Sequence, residues 1–179
     1  MKFKSKNIAL FGTSADPPTN GHKKIIEELS KIFSLVISYA SNNPSKTHQE
    51  ELVNRSLLLD LLIKDINNPN ILFDQDMSSP WAINTINKCK IKYNCEDIEF
   101  VIGSDLIEQM ILWKDFDEFI KQCNCFIIPR EGYPINLEIL KSIKRNNGRY
   151  TISSFKVPNI SSTLVKENNL HSELPKSLK

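Results

Sequence analysis

The stretch IALFGTSADPPTNGHKKIIEEL, residues Ile8 to Leu29, places an apolar run, a turn-rich loop and a helical pattern in immediate succession. The run Ile8 to Phe11 breaks into Gly12, Thr13 and Ser14; Asp16, two prolines, Thr19, Asn20, Gly21 and His22 follow. Ile25, Ile26, Leu29 and Ile32 then recur at helical spacing. Glycine at position 12 lets the chain turn sharply and lets a ligand approach the backbone. Gly21 and His22 fall where the helix begins. The unpaired N–H groups of a first helical turn, with the helix dipole, favour an anion there, and a histidine can donate a hydrogen bond to it. No G-K-[ST] follows, so this is not a Walker loop. The same residues also suit a purely structural loop, in which Asp16 and Asn20 cap turns and the histidine lies on the surface.

Outward from this stretch, short apolar runs alternate with longer amphipathic ones. LVISYA reads as a strand, HQEELVNRSLLLDLLIKDI as a helix and NILFD as a short strand. PWAINTINKCKIKY reads as a helix with Pro80 in its first turn. IEFVIG is a strand, followed by a helical pattern from SDLIEQMILW through DFDEFIKQC; CFIIP, NLEILKSIKRN and YTISSFKV read as strand, helix and last strand. This alternation predicts an α/β fold with a doubly wound, mostly parallel sheet and right-handed crossovers. No repeat, low-complexity tract or linker interrupts it, so one domain is expected over residues 1–179. In such sheets ligands bind beyond the carboxyl ends of the strands. The loops there are GTSADPPTNGH, SNNPSK, DQDMSSPW, GSD and PREGY.

Forty per cent hydrophobic and 25% charged residues are ordinary for a globular chain of 179 residues. Twenty-three basic residues against 21 acidic exclude a bulk electrostatic case for nucleic acid or membrane binding, so any anion site must be local. Lys2, Lys4 and Lys6 precede the first apolar run, but its four residues fall short of the roughly 7–15 of a secretory core. No stretch approaches the roughly 18 apolar residues of a membrane span, and a cytoplasmic location is expected. Cys89, Cys95, Cys123 and Cys125 make no C-x-x-C pair, and reduced, partly buried thiols are expected rather than metal ligands.

A second polar turn, ISSTLVK, reads as another helix start, with Ser161 or Ser162 as the cap and Lys166 three residues beyond Thr163, on the same face. Lys46 in NPSK and Arg130 in PREGY are strand-end cations, readable as phosphate contacts or as solvated surface charge. Trp113 is readable as a stacking platform or as a buried core residue.

Together these motifs resemble a known family. GTSADPPTNGH is similar to the G-[ST]-F-D-P-x-[HT]-x-G-H signature of the [HT]-x-G-H nucleotidyltransferases, and ISSTLVK to their I-S-S-[ST]-x-[IVL]-[RK] signature. VIGSDLIEQMILWKDFDEF and CFIIPREGY resemble the G-[AS]-D…W…[IVF]-x-R-x-G-Y pattern of nicotinate-nucleotide adenylyltransferases. The resemblance implies a Rossmann-like nucleotidyltransferase fold and adenylyl transfer from ATP to nicotinate mononucleotide, with Mg²⁺ accompanying the ATP and no protein metal ligand identified. His22, Thr19 and Lys166 take the catalytic positions. Gly12, Thr13, Ser14, Gly21, Ser162 and Thr163 take the ATP-binding ones. Asp105 matches the carboxylate that binds a ribose and Trp113 the ring that stacks on the pyridine. Lys46 and Arg130 stay readable as phosphate contacts on the acceptor side or as surface charge, and the backbone at Ala82 and Ile83 could hold a carboxylate. A phosphate monoester is already an anionic nucleophile near neutral pH, so positioning and charge stabilisation can suffice for this chemistry.

The chain departs from the pattern in places. Ala15 replaces the motif phenylalanine, Thr19 the commoner histidine and Lys166 the usual arginine, which loses a bidentate fork. Pro80-Trp81-Ala82 replaces S-Y-T, and HSELPKSLK reads as a tail that stops early. Two rival readings share the ATP half: a pantetheine-phosphate adenylyltransferase, which DPPTNGH and SSTLVKE also resemble, and a non-catalytic nucleotide-binding protein on the same fold. Oligomeric state stays open, a homo-oligomer included.

Overall fold

The computed structural model describes residues 7–157, 162, 165 and 171–178. Along the chain run β1 (Ile8–Thr13), α1 (Asn20–Ile32), β2 (Leu35–Ala40), α2 (Leu52–Ile66), β3 (Ile71–Phe73), α3 (Ala82–Tyr93), β4 (Ile98–Gly103), α4 (Ile107–Met110), α5 (Phe116–Gln122), β5 (Asn124–Ile128), α6 (Leu137–Arg145) and β6 (Arg149–Ile152). The strands form one sheet in the order β3-β2-β1-β4-β5-β6, and every pairing between them is parallel. This is the doubly wound order of a Rossmann-like fold, with its reversal point between β1 and β4.

Alternation along β1 shows why the sheet is covered on both faces. Ile8 and Leu10 enter one apolar cluster with Ile86, Phe100, Phe119 and Ile127. Ala9 and Phe11 enter the other with Leu29, Leu59, Leu62 and Phe126. A strand buried on both sides must be apolar throughout, as IALF is. Among the described residues no helix is long and apolar enough to cross a membrane.

Several element boundaries differ from expectation. The helix expected from Pro80 begins at Ala82 with Trp81 as its N-cap, so the proline lies just outside it. The helix read from His48 starts at Leu52, because Gln49 and Glu50 donate their amides to the buried Asp16. The helical pattern expected over 104–123 is broken. A 3₁₀ turn at Ser104–Leu106 and the short α4 end before Trp113, and Asp115 takes a left-handed backbone (φ 54°) as N-cap of α5. The last strand is Arg149–Ile152, shorter than the apolar pattern through Val157.

Candidate active site

The carboxyl ends of β1 and β4 part at the reversal point, and a cleft of about 300 Å³ opens there. Gly12, Thr13, Ser14, Gly21, His22, Lys46, Ala82, Asp105, Trp113, Arg130 and Ser162 all line it. Thr19 and Ile83 do not. Thr19 is fully buried, and the Ile83 side chain packs in the core beneath α3, so at that position only the backbone can serve the cleft. Thr163 and Lys166 lie outside the described residues.

The first loop is held by its own polar groups. Thr19, in extended conformation, caps α1. Its backbone N–H donates to His22 Nδ1 at 3.0 Å, and its hydroxyl lies 2.8 Å from the same atom. A backbone N–H can only donate, so Nδ1 is the acceptor and the neutral ring carries its proton on Nε2. Burial, then the charges of Arg130 and Lys46, lower the His22 pKa from 6.5 to about 4. The imidazole is therefore a neutral N–H donor at pH 7.

Gly12 lines the cleft as expected of a backbone open to a ligand, but it does not make the expected turn. It lies within β1, and a Cβ there would come within 2.5 Å of the Tyr39 ring, so the missing side chain makes room for Tyr39 rather than for a turn. Ala15 adopts a left-handed backbone (φ 48°) and is fully buried in the core on the α1 side of the sheet. Asp16 reaches beyond its own loop. Its carboxylate accepts from Gln49 N (2.9 Å) and Glu50 N (3.3 Å), drawing the segment that carries Lys46 toward β1.

Arg55 completes the same frame. Its buried guanidinium donates through Nη1 to Ser14 O (2.7 Å) and Ser41 O (3.1 Å), and through Nε to Glu50 O (3.2 Å). One side chain thus joins the loops after β1 and β2. Sequence reading passed over it, although Arg55 sits on the core face of α2, four and seven residues before Leu59 and Leu62. Ser162 donates to Pro17 O at 2.8 Å, tying its segment to the first loop.

Across the cleft, Arg130 Nη1 meets Asp105 Oδ2 at 3.0 Å. The Arg130 amide donates to Ser104 Oγ, which donates to Tyr133 O. Gly103 is needed here, since a Cβ would meet the Asp105 carboxylate and lie 3.1 Å from Arg130 Cδ. The other Asp105 oxygen, Oδ1, is buried with no partner among the described residues, an open acceptor in the cleft. Lys46 is exposed as a residue, yet its charge sits in the concavity; desolvation lowers its pKa, Asp105 opposes that shift and Arg130 adds to it.

The remaining wall is aromatic. Trp113 is gripped edge-on by Phe100 (5.9 Å) and Phe119 (5.7 Å). Trp81 and Lys114 line the cleft as well, with the Lys114 ammonium 5.3 Å from the Trp81 ring centre. Tyr39 and Thr85 lie between the two parts, with Thr85 hydrogen-bonded to the buried phenol. Sequence reading gave no role to Tyr39, Thr85 or Lys114, and met Trp81 only as a departure from a motif.

A crevice at the reversal point of a 3-2-1-4-5-6 sheet, walled by a helix N-terminus, cations and an aromatic platform, is the binding site of a nucleotide-handling α/β protein. Residues 10–168 match the cytidylyltransferase-like family, and the chain belongs to it. Within it the chain groups with the nicotinate-nucleotide adenylyltransferases. It is 32% identical to a probable nicotinate-nucleotide adenylyltransferase of Synechocystis over 81% of this chain and 78% of that protein. It is 26% identical to the nicotinate-nucleotide adenylyltransferase of Bacillus subtilis over 73% of this chain and 72% of that one. In fold it is similar to the Plasmodium falciparum nicotinic acid mononucleotide adenylyltransferase complexed with NaAD, with a TM-score of 0.76, 18% identity, and 96% and 91% of the two chains covered.

Proposed function

We propose that the chain transfers the adenylyl group of ATP to nicotinate mononucleotide, giving nicotinate adenine dinucleotide and pyrophosphate. One observation carries this reading: a single cleft joins a neutral, capped His22 and the Lys46–Arg130 pair to a fixed tryptophan and an unpartnered Asp105 oxygen. The first set suits phosphates, the second a ribosyl pyridine.

In this reading the loop Gly12–Ser14, Gly21, the His22 Nε2–H and Ser162 face the ATP phosphates, together with Thr163 and Lys166 of the same motif. Lys46 and Arg130 hold the acceptor phosphate, Asp105 Oδ1 accepts from a ribose hydroxyl, and the pyridine stacks on Trp113. The amides of Ala82 and Ile83, at the open start of α3, face the substituent of the ring. A phosphate oxygen of the acceptor attacks the α-phosphorus, that new bond forms as the bond to the bridging β-phosphate oxygen breaks, and pyrophosphate leaves. Charge grows on the α-phosphate oxygens, and a neutral N–H donor already in place stabilises it without reorganisation. Thr19 acts through His22, by holding its tautomer, and is a positioning residue.

The donors around the phosphate end are cationic or N–H groups, which attract phosphate oxygens and repel a free cation. Mg²⁺ therefore fits as part of Mg–ATP, held by phosphate oxygens and water. We read residues 1–179 as one catalytic domain. The four buried cysteines Cys89, Cys95, Cys123 and Cys125, whose spacing makes no C-x-x-C pair, fit a reducing, cytoplasmic setting.

Mg–ATP supplied in parallel with nicotinate mononucleotide, nicotinamide mononucleotide and phosphopantetheine, with pyrophosphate measured, tests the assignment. Release with the pyridine nucleotides is expected. Release with phosphopantetheine only would move the chain to the rival transferase, and binding of ATP with no release at all would make it a nucleotide-binding protein.

A further inference from the structure

The cations that line the cleft fall into two groups. Lys46 and Arg130 lie close enough to interact with each other, with Asp105 and with His22, so they belong to the phosphate end. Lys114 stands apart. It enters none of the ion pairs formed among the described residues, and its contact is the face of Trp81. It follows directly on Trp113, whose ring is fixed between Phe100 and Phe119, and precedes Asp115, whose left-handed backbone ends the turn. The lining around it is largely apolar, with Pro80, Trp81, Ala82 and Leu112. Lys114 is exposed, so its ammonium can leave the ring face to meet an anion.

We propose that Lys114 is a specificity-determining residue, which selects a pyridine carboxylate over the corresponding carboxamide. The inference rests on the proposed acceptor. Nicotinate and nicotinamide mononucleotides differ only in the ring substituent, charged in one and neutral in the other. A ring stacked at Trp113 brings that substituent to the rim where Lys114 swings from Trp81, and a flexible four-carbon stem lets the ammonium reach it. The carboxylate gains a charge-assisted hydrogen bond that the amide cannot match. The Trp81 face parks the cation when the site is empty, so part of its ordering precedes binding.

The test compares the wild type with Lys114→Met and Lys114→Arg, measuring kcat and KM for both pyridine nucleotides and for ATP. Methionine keeps the apolar stem over Trp81 and removes the charge. Lys114→Met is expected to raise KM for nicotinate mononucleotide about tenfold, the scale of one charged hydrogen bond. kcat/KM for nicotinamide mononucleotide and KM for ATP should stay within about twofold, and Lys114→Arg should keep the preference. Equal losses for both acceptors would assign Lys114 a merely structural part, and unchanged preference in Lys114→Met would remove it from specificity; either result overturns the inference and leaves the transferase reading intact. Absence of pyrophosphate release by the wild type with either pyridine nucleotide would overturn both together.

Discussion

At the β1 end of the cleft, polar groups are fastened to one another: His22 to Thr19, Asp16 to Gln49 and Glu50, Arg55 to Ser14, Ser41 and Glu50. At the opposite end, the helical pattern is broken at Asp115, Trp81 is 39% exposed and Leu112 81% exposed. Trp113 on that side is locked by packing. The difference fits the work proposed for each end. Charge develops at the phosphates, and donors there are effective only if they need no reorganisation. An acceptor ring asks mainly for a flat surface and room to enter.

Four measurements can break or sharpen that contrast. The largest effect is expected from His22→Ala, which should lower turnover at least about a hundredfold, the scale of losing one directed donor. Circular dichroism should show the fold retained; near-normal turnover in a folded variant would remove His22 from the chemistry. Next, Arg55→Met leaves buried carbonyls without their donor and should cost about 2–4 kcal/mol in denaturant unfolding. A change within error would mean that the β1 end is not held by this clamp. Trp113→Ala should raise KM for the pyridine nucleotide about tenfold, as for a lost stacking face, with KM for ATP little changed. Parallel increases for both substrates would show that the two ends are not separable.

The smallest effect concerns pH. The folded His22 pKa of about 4 lies below the ordinary histidine value of 6.5, chiefly through burial, so the unfolded chain binds more protons between these values. The stability this ring contributes is full above about pH 6.5 and is lost as pH falls toward 4. His22→Asn should therefore lose less stability than the wild type between pH 7 and pH 4.5 in paired thermal melts. An identical loss in both would show that burial does not hold the ring neutral.

Much of the fold was legible because its signals are local. A four-residue apolar run followed by turn formers and a 3.6-residue period identifies a strand, loop and helix wherever they occur. The chain order of such units then predicts a parallel sheet. Boundaries were less legible where distant groups decide them. The start of α2 depends on Asp16, 33 residues before Gln49, and no window around His48 contains that carboxylate. Thr19 illustrates the same limit in the site. Its motif position was readable, but its burial beneath His22 turns a presumed contact with substrate into a contact with the histidine.

Residue order was enough to place Asp105 and Arg130 just past strand ends and His22 in the first turn of a helix, since side-chain periodicity and turn chemistry act over a few residues. Tertiary packing alone decided that Gly12 makes room for Tyr39, that Arg55 ties two loops together, and that Trp81 and Lys114 meet at the rim of the cleft. Those pairs lie up to 41 residues apart, and the encounter of side chains so distant is set by how the layers pack, not by any pattern within a single element.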